Sequence, residues 1–376
     1  MNGFWKRSEG EGVRAALLEK GSTRLEIVND LEVRAPVAGE VLVRMAYCGL
    51  CHSDLWVKES FPIDDLPVVL GHEAAGKIVA LGEGVSVAAV GDTVVLATLP
   101  SCGRCAICLC GHPAACERND TTRLAPALPS GKPVFTHRGR EVHRGLGVGG
   151  FAEYTLTTPD SFTVLPPDTP LDIACLLGCG VRTGVGAVLN AAQVPEGASV
   201  LVMGLGGVGL SMVMGAVLGA ASPIIVSDPV ESRRHAALGF GATIAVDPTT
   251  EDLADAVHAA TAGRGVQFAF DAAGSPALLR TGFDVTGIGG TIVSVGAAFG
   301  DLTIPALELM TSEKRIIGSL IGSSVLHHDV PRLLRLWRAG RLDLDRLVSN
   351  RRPIEEINAG FDDMAAGREL RTVIAF

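Results

Sequence analysis

The chain has 376 residues, of which 47% are hydrophobic, 19% charged and 46 are glycines, so it can build a large core with many tight turns and is not a disordered chain. Its formal charge of −9, with no run of Lys and Arg, argues against a nucleic-acid partner, which would need basic residues gathered on one face. The opening MNGFWKRSEGEG holds no apolar signal core and nine cysteines is an odd number, so a reducing, cytoplasmic setting without stapling disulfides is expected.

Before residue 180 the apolar runs are short and split by Gly, Pro and Asp, as in Gly39–Met45 and Asp92–Leu96, which predicts a β-rich, barrel-like domain. Cys51-His52-Ser53-Asp54, Gly71-His72-Glu73 and Gly178-Cys179-Gly180 place two thiols and an imidazole in three separate turns. Spacing alone does not make them a site, since a His in a glycine-flanked turn is commonly an ordinary hydrogen-bonded residue. Cys102, Cys105, Cys108 and Cys116 are different: four soft ligands, three of them in two-residue steps, predict a loop wrapped tetrahedrally around a structural zinc. Disulfides are the alternative, and a chain of this length has no need of them.

The stretch Ala198 to Ser227 carries no charged residue and would pass a hydropathy test for a membrane span, but Gly204, Gly206, Gly207, Gly209, Gly215 and Pro223 interrupt it. Ser199–Met203 reads as a strand, Gly204-Leu-Gly206-Gly207-Val208-Gly209 as a tight turn, and the segment through Ala220 as a helix. In a dinucleotide site the first Gly makes the turn, the second lets the backbone approach the pyrophosphate, and the third packs helix on strand. Pro223–Asp228 is a second strand ending in a carboxylate where the ribose hydroxyls should lie, and a carboxylate accepts from a 2′-OH but repels a 2′-phosphate, favouring NAD over NADP. Beyond it Ser232–Phe240, Glu251–Ala262 and Pro276–Asp284 suit helices, and Thr243–Val246, Val266–Asp271, Thr291–Val295 and Arg315–Leu320 suit strands. Six strands with helical crossovers imply a doubly wound parallel sheet, an α/β fold. Pattern alone leaves the tail after about residue 323 unplaced.

Taken in order and with these separations, Cys51-His-Ser-Asp, Gly71-His-Glu, the four-Cys lobe, Gly178-Cys-Gly and Gly204-Leu-Gly-Gly-Val-Gly resemble the zinc-dependent medium-chain alcohol dehydrogenases from about Gly12 to Phe376. The resemblance implies a GroES-like β-barrel catalytic domain, residues 1–180 completed by 323–376, and a Rossmann NAD-binding domain over 181–322. It implies two Zn²⁺ per subunit, one structural in the four-Cys lobe and one catalytic on Cys51, His72 and Cys179 with a fourth position open to water or alcohol. Ser53 then matches the hydroxyl that takes the alcohol proton, Asp54 the carboxylate that orients His72, and Glu73 a group behind the metal. His52 and Arg371 resemble pyrophosphate contacts, Thr183, Val208 and Val295 nicotinamide-side contacts, and Arg233 a neighbour of the adenosine ribose. The length of Glu117–Gly150 resembles that of dimeric relatives, which implies a homodimer acting on a small-molecule alcohol or aldehyde, without a membrane or nucleic-acid partner.

Several positions depart from the family pattern. Trp56 stands where many relatives have a His that finishes the proton relay, and His52 where some have Arg, which makes the cofactor grip pH-sensitive near the ordinary imidazole pKa of about 6.5. Thr98 replaces a narrowing aromatic residue; Pro62, Leu99 and the Arg118–Arg144 loop are expected to complete the pocket wall. Arg182 is open between a site cation and a structural role, and Cys48, Cys110 and Cys175 read as small packing residues. The expected activity is hydride transfer between an alcohol and NAD. A thiol-adduct formaldehyde dehydrogenase, a nicotinoprotein alcohol oxidoreductase and a regulatory dinucleotide-binding protein on the same fold are the alternatives. Intact Cys51, Ser53, His72 and Cys179 favour an enzyme.

Overall fold

The computed structural model describes residues 4–5, 12–60, 67–119 and 128–376. It divides the chain into two compact units: residues up to Cys179 with 325–332 and 344–376, and residues 180–324 with 333–343.

In the first unit the runs Val13–Leu18, Glu26–Arg34, Val68–Val69, Phe135–His137 and Arg140–Arg144 form one sheet, and Phe135–His137 pairs back onto Glu26–Arg34 to close it into a ring. Closure removes the free edges that short strands would otherwise expose. A second sheet runs in the order Phe162–Val164, Thr93–Leu96, Glu73–Leu81, Val41–Gly49, Arg371–Ala375 and Val348–Pro353, with Tyr154–Thr157 also on Val41–Gly49. The tail is thereby placed: Val373 pairs with Gly49 and Ile374 with Cys48. Leu17, Leu42, Phe135, Phe151, Phe162 and Phe361 fill the core.

The second unit is the expected parallel sheet. Its strands Ile244–Val246, Ile224–Ser227, Val200–Met203, Val266–Asp271, Thr286–Ser294 and Arg315–Gly318 lie in that order, every pair parallel. The charge-free stretch from Ala198 is explained by burial, since Val200–Met203 is the central strand and most of the Gly207–Leu218 helix is inaccessible to solvent. Among the described residues no single helix is long and apolar enough to cross a membrane.

One boundary differs from the sequence reading, which gave all of 323–376 to the first domain. Leu333–Asp343 belongs to the second unit. The helix Leu326–Arg338 continues through the boundary, with Pro331 inside it just before the change, and buries Leu333 and Leu334.

Candidate active site and metal centres

Val41–Gly49 and Glu73–Leu81 pair antiparallel with Gly49 opposite Glu73. The chain leaving one strand therefore runs beside the chain entering the other, and this register brings Cys51 next to His72. Cys179 arrives from a third segment. A Cβ on Gly178 would stand 2.5 Å from the Leu96 carbonyl oxygen and 3.4 Å from Glu73 Cα, so glycine is what lets that turn approach the His72-Glu73 backbone. The ligand atoms of Cys51, His72, Glu73 and Cys179 all lie within 4.8 Å of one another, and all four residues are buried.

The imidazole is held from behind. Gly71 has φ +89°, and a Cβ there would strike the Phe151 ring at 2.8 Å; its amide donates to Asp54 Oδ1 at 2.9 Å. The other carboxylate oxygen of Asp54 stands 2.8 Å from His72 Nδ1, too obliquely for a well-formed hydrogen bond, so the two attract chiefly as charges. Nδ1 faces Asp54, which leaves Nε2 as the ligand atom. Hydrogen bonding with Cys179, helped by the His72 charge, outweighs burial and holds the Cys51 thiol well below its ordinary range. Burial opposes charge on His72, but Asp54 and Cys51 overcome it and raise the imidazole to about 10. Burial in turn pushes the Asp54 carboxyl up against the pull of His72. A dication suits this donor set: it replaces the imidazole proton and compensates buried thiolates.

Glu73 is completely buried and its carboxylate pairs with Arg371, itself 5% exposed. The structure thus gives Arg371 a partner beside the cluster that the sequence pattern did not reveal. Ser53 and His52 lie exposed in the first turn of the His52–Ser60 helix, with Ser53 Oγ 3.8 Å from Cys51 Sγ. Trp56 is half-buried and packs against the apolar core of the first unit. Thr98 is buried, Leu99 takes the left-handed φ of 55°, and Arg118 pairs with Asp160 at 2.8 Å. Pro62 and residues 120–127 of the expected wall lie outside the described residues.

The sulfurs of Cys102, Cys105, Cys108 and Cys116 also lie within 4.8 Å of one another. The two-residue spacing has a physical reason here. The Cys105 amide donates to Cys102 Sγ at 3.3 Å and the Cys108 amide to Cys105 Sγ at 3.4 Å, each turn covering the preceding sulfur with a donor. Amides of Arg104 and Cys105 bring the Cys102 thiol down to about 6, and those of Cys108 and Glu117 lower Cys105. All nine cysteines are free thiols. Cys48 and Cys175 are buried as expected, whereas Cys110 is exposed, because it sits just past the Ala106–Leu109 helix, which buries none of its residues.

In the second unit each glycine of the turn has its own steric setting. Gly204 has φ +89° with Ala273 closely beside it, Gly206 has open space where a Cβ would be, and a Cβ on Gly209 would stand 1.9 Å from the Gly204 carbonyl. The open position before the Gly207–Leu218 helix is where a pyrophosphate fits. Val208 is half-buried just inside this helix, and Gly184 lets the helix carrying Thr183 approach the Val208 carbonyl. Asp228 ends its strand with Arg233 Nη1 at 3.9 Å. Val295 directly follows the Thr286–Ser294 strand and donates its amide to the Asp271 carbonyl. Sequence reading missed Asp271 itself, whose carboxylate accepts from the amides of Ala273, Gly274 and Ser275; a strand-end Asp before Ala-Ala-Gly was the available signal. Arg182 is fully buried and donates to Ser324 Oγ at 3.2 Å.

Two family descriptions match the chain: "Alcohol dehydrogenase GroES-like domain" over residues 37–168 and "Zinc-binding dehydrogenase" over 207–339. The NDMA-dependent alcohol dehydrogenase of Amycolatopsis methanolica is 36% identical over 366 residues, covering 96% of this chain and 98% of that one. The S-(hydroxymethyl)glutathione dehydrogenase of Komagataella pastoris is 34% identical over 355 residues, 92% of this chain and 93% of that one. The crystal structure of benzyl alcohol dehydrogenase from Acinetobacter calcoaceticus superposes with a TM-score of 0.91 at 34% identity, over 97% of this chain and 99% of that one. With both halves matched and the metal-capable clusters assembled, the chain belongs to the zinc-dependent medium-chain alcohol dehydrogenase family and is an alcohol dehydrogenase.

Proposed function

We propose that this enzyme interconverts medium-sized or bulky primary alcohols and their aldehydes with NAD, using one zinc on Cys51, His72 and Cys179 and a second in the four-Cys lobe. The buried Cys51–His72–Cys179 constellation carries this reading, because three protein ligands leave a fourth position for substrate. Zinc bound there would act as a Lewis acid that makes a hydroxyl proton more acidic. Asp54 holds the His72 ring in the ligand orientation, and Arg371 balances the charge of Glu73 beside the thiolates. Ser53, exposed at the start of its helix, receives the hydroxyl proton and passes it toward His52 and solvent. NAD bound here would accept the carbinol hydrogen with its two electrons, so that one alcohol would yield one aldehyde, one NADH and one proton. Gly204, Gly206 and Gly209 shape the pyrophosphate turn, and Val208, Thr183 and Val295 are assigned to the nicotinamide side. Asp228, with Arg233 beside it, receives the ribose and disfavours a 2′-phosphate.

Thr98 in place of an aromatic wall supports a wide pocket, in which each further buried CH₂ contributes about 0.8 kcal/mol. NADH formation from ethanol, hexanol and benzyl alcohol, with zinc measured on the same preparation, tests the reading. We expect two zincs per subunit and a higher kcat/KM for the larger alcohols; ethanol matching or exceeding hexanol and benzyl alcohol would reject the wide pocket. The names of two relatives favour a second reading, in which the substrate is a thiol adduct of formaldehyde or the nicotinamide stays bound. Formaldehyde oxidation only with added thiol, or cofactor retained after exhaustive dialysis, would establish it. A homodimer is proposed from the length of Glu117–Gly150, supported by the exposed apolar residues Ile288, Phe299, Leu307 and Met310 of the second unit. Light scattering showing a monomer or tetramer would reject it.

A further inference from the structure

Asp228 does more than meet a ribose. Its side chain is 4% exposed and both carboxylate oxygens are already engaged by backbone: Oδ2 accepts from the Leu205 amide at 2.7 Å and Oδ1 from the Val230 amide at 2.8 Å. Leu205 lies inside the glycine turn, between Gly204 and the unobstructed Gly206. The neighbouring strand repeats the device, for Asp271 holds the amides of Ala273, Gly274 and Ser275, and Ala273 lies against Gly204. Met203, the residue before the turn, has Ser227 and Asp271 as its register partners on the two sides. The turn is therefore flanked by two strand-end carboxylates, one bonded directly to its backbone and the other holding the loop it packs on. Arg233, with Nη1 3.9 Å from Asp228 Oδ2, and Arg234, whose Nη1 donates to the Asp228 carbonyl at 2.7 Å, flank this corner from the other side.

We propose that Asp228 is a positioning residue for the pyrophosphate turn, so that adenosine-ribose recognition and pyrophosphate binding share one carboxylate. The role rests on the dinucleotide reading above. It follows that shortening Asp228 does not simply release NADP binding, because the Leu205 amide loses its acceptor and the turn loses its place.

The test is equilibrium binding of NAD and of its 2′-deoxyadenosine analogue, followed by calorimetry on the zinc-loaded enzyme and on Asp228→Ala and Asp228→Asn. The analogue has no 2′-OH for the carboxylate to recognise. Loss of the charged acceptor should weaken it about tenfold or more in Asp228→Ala, while Asp228→Asn, whose single carbonyl can receive the Leu205 amide but whose NH₂ then faces the Val230 amide, should restore part of that loss. Asp228→Ser, too short to reach Leu205, replaces the alanine variant if that variant does not fold. Unchanged analogue binding in Asp228→Ala or Asp228→Ser overturns the positioning role. Failure of the unmodified enzyme to bind NAD would instead overturn the dinucleotide reading itself.

Discussion

The two metal-capable clusters of the first unit are built in opposite ways. Cys102, Cys105, Cys108 and Cys116 come from one short stretch, and amides of that same stretch support their sulfurs. Cys51, His72 and Cys179 come from three segments and meet only because strand register, a positive-φ glycine and a crowded Gly178 bring them together. A contiguous site needs little of the fold, so a metal held there would serve local structure; a dispersed site records the folded state, so it can hold geometry for a reaction. Burial follows the same division, with the dispersed ligands all buried and three of the lobe's four partly exposed.

The sharpest way to break this contrast is to remove one ligand from each cluster. His72→Ala should leave the lobe zinc and the fold in place and lower turnover by about 10³-fold or more. Steady-state kinetics alongside metal analysis checks it, and a variant retaining a tenth of the activity would contradict the assignment. Cys105→Ser should release the lobe zinc and lower the melting temperature, since structural zinc binding is itself folding free energy. Melting like the unmodified protein would remove the structural role. The pH dependence of the lobe has a definite sign. Protons compete with zinc for thiolates, so affinity falls as pH falls; amides bring Cys102 down to about 6 while burial and the neighbouring sulfurs push Cys108 up to about 12, so we expect the lobe's zinc affinity to fall steadily on acidification. Chelator competition showing an affinity that does not change between about pH 8 and about pH 6 would argue against thiolate ligation in the lobe.

A subtler change separates the dispersed site from its scaffold. Asp54→Asn retains an acceptor for the Gly71 amide but removes the charge facing His72 Nδ1. Zinc affinity at the buried site should fall about 10- to 100-fold, with the lobe zinc unaffected. Equal retention at both sites, measured by competition with a chelator of known affinity, would show that Asp54 does not orient the ligand.

The same contrast explains what could be read in advance. The lobe was legible from spacing, and the glycine turn from its place between Ser199–Met203 and Pro223–Asp228, because each is local and each residue has a steric or coordinating reason visible in its neighbours. Cys51, His72 and Cys179 were individually ambiguous: nothing in one turn says which other turn it will meet, and only the family resemblance joined them. The Glu73 and Arg371 pair depends on a carboxyl-terminal strand entering the sheet beside Val41–Gly49, a long-range pairing without a local signature. The transfer of Leu333–Asp343 to the second unit had one local mark, Pro331 within the Leu326–Arg338 helix, but a proline inside a helix does not say which core the turns on either side of it join.

Trp56 offers the smallest expected effect and the finest test of how the dispersed site reaches solvent. Its indole is half-buried against the apolar core of the first unit, which supports a packing role. Placing imidazole there removes apolar contact and should cost about 1–2 kcal/mol of stability. It also introduces a base with an ordinary pKa of about 6.5. Alcohol oxidation releases a proton, so its rate falls at low pH where acceptors are already protonated. A neutral imidazole above about pH 6.5 adds an acceptor, and Trp56→His should raise oxidation a few-fold near neutrality and flatten the acid limb, with alcohol preference little changed. The pH profiles of kcat for the two proteins decide the matter. Superimposable profiles would show that proton release through this helix does not limit the rate, and a changed alcohol preference would place the indole in the substrate wall.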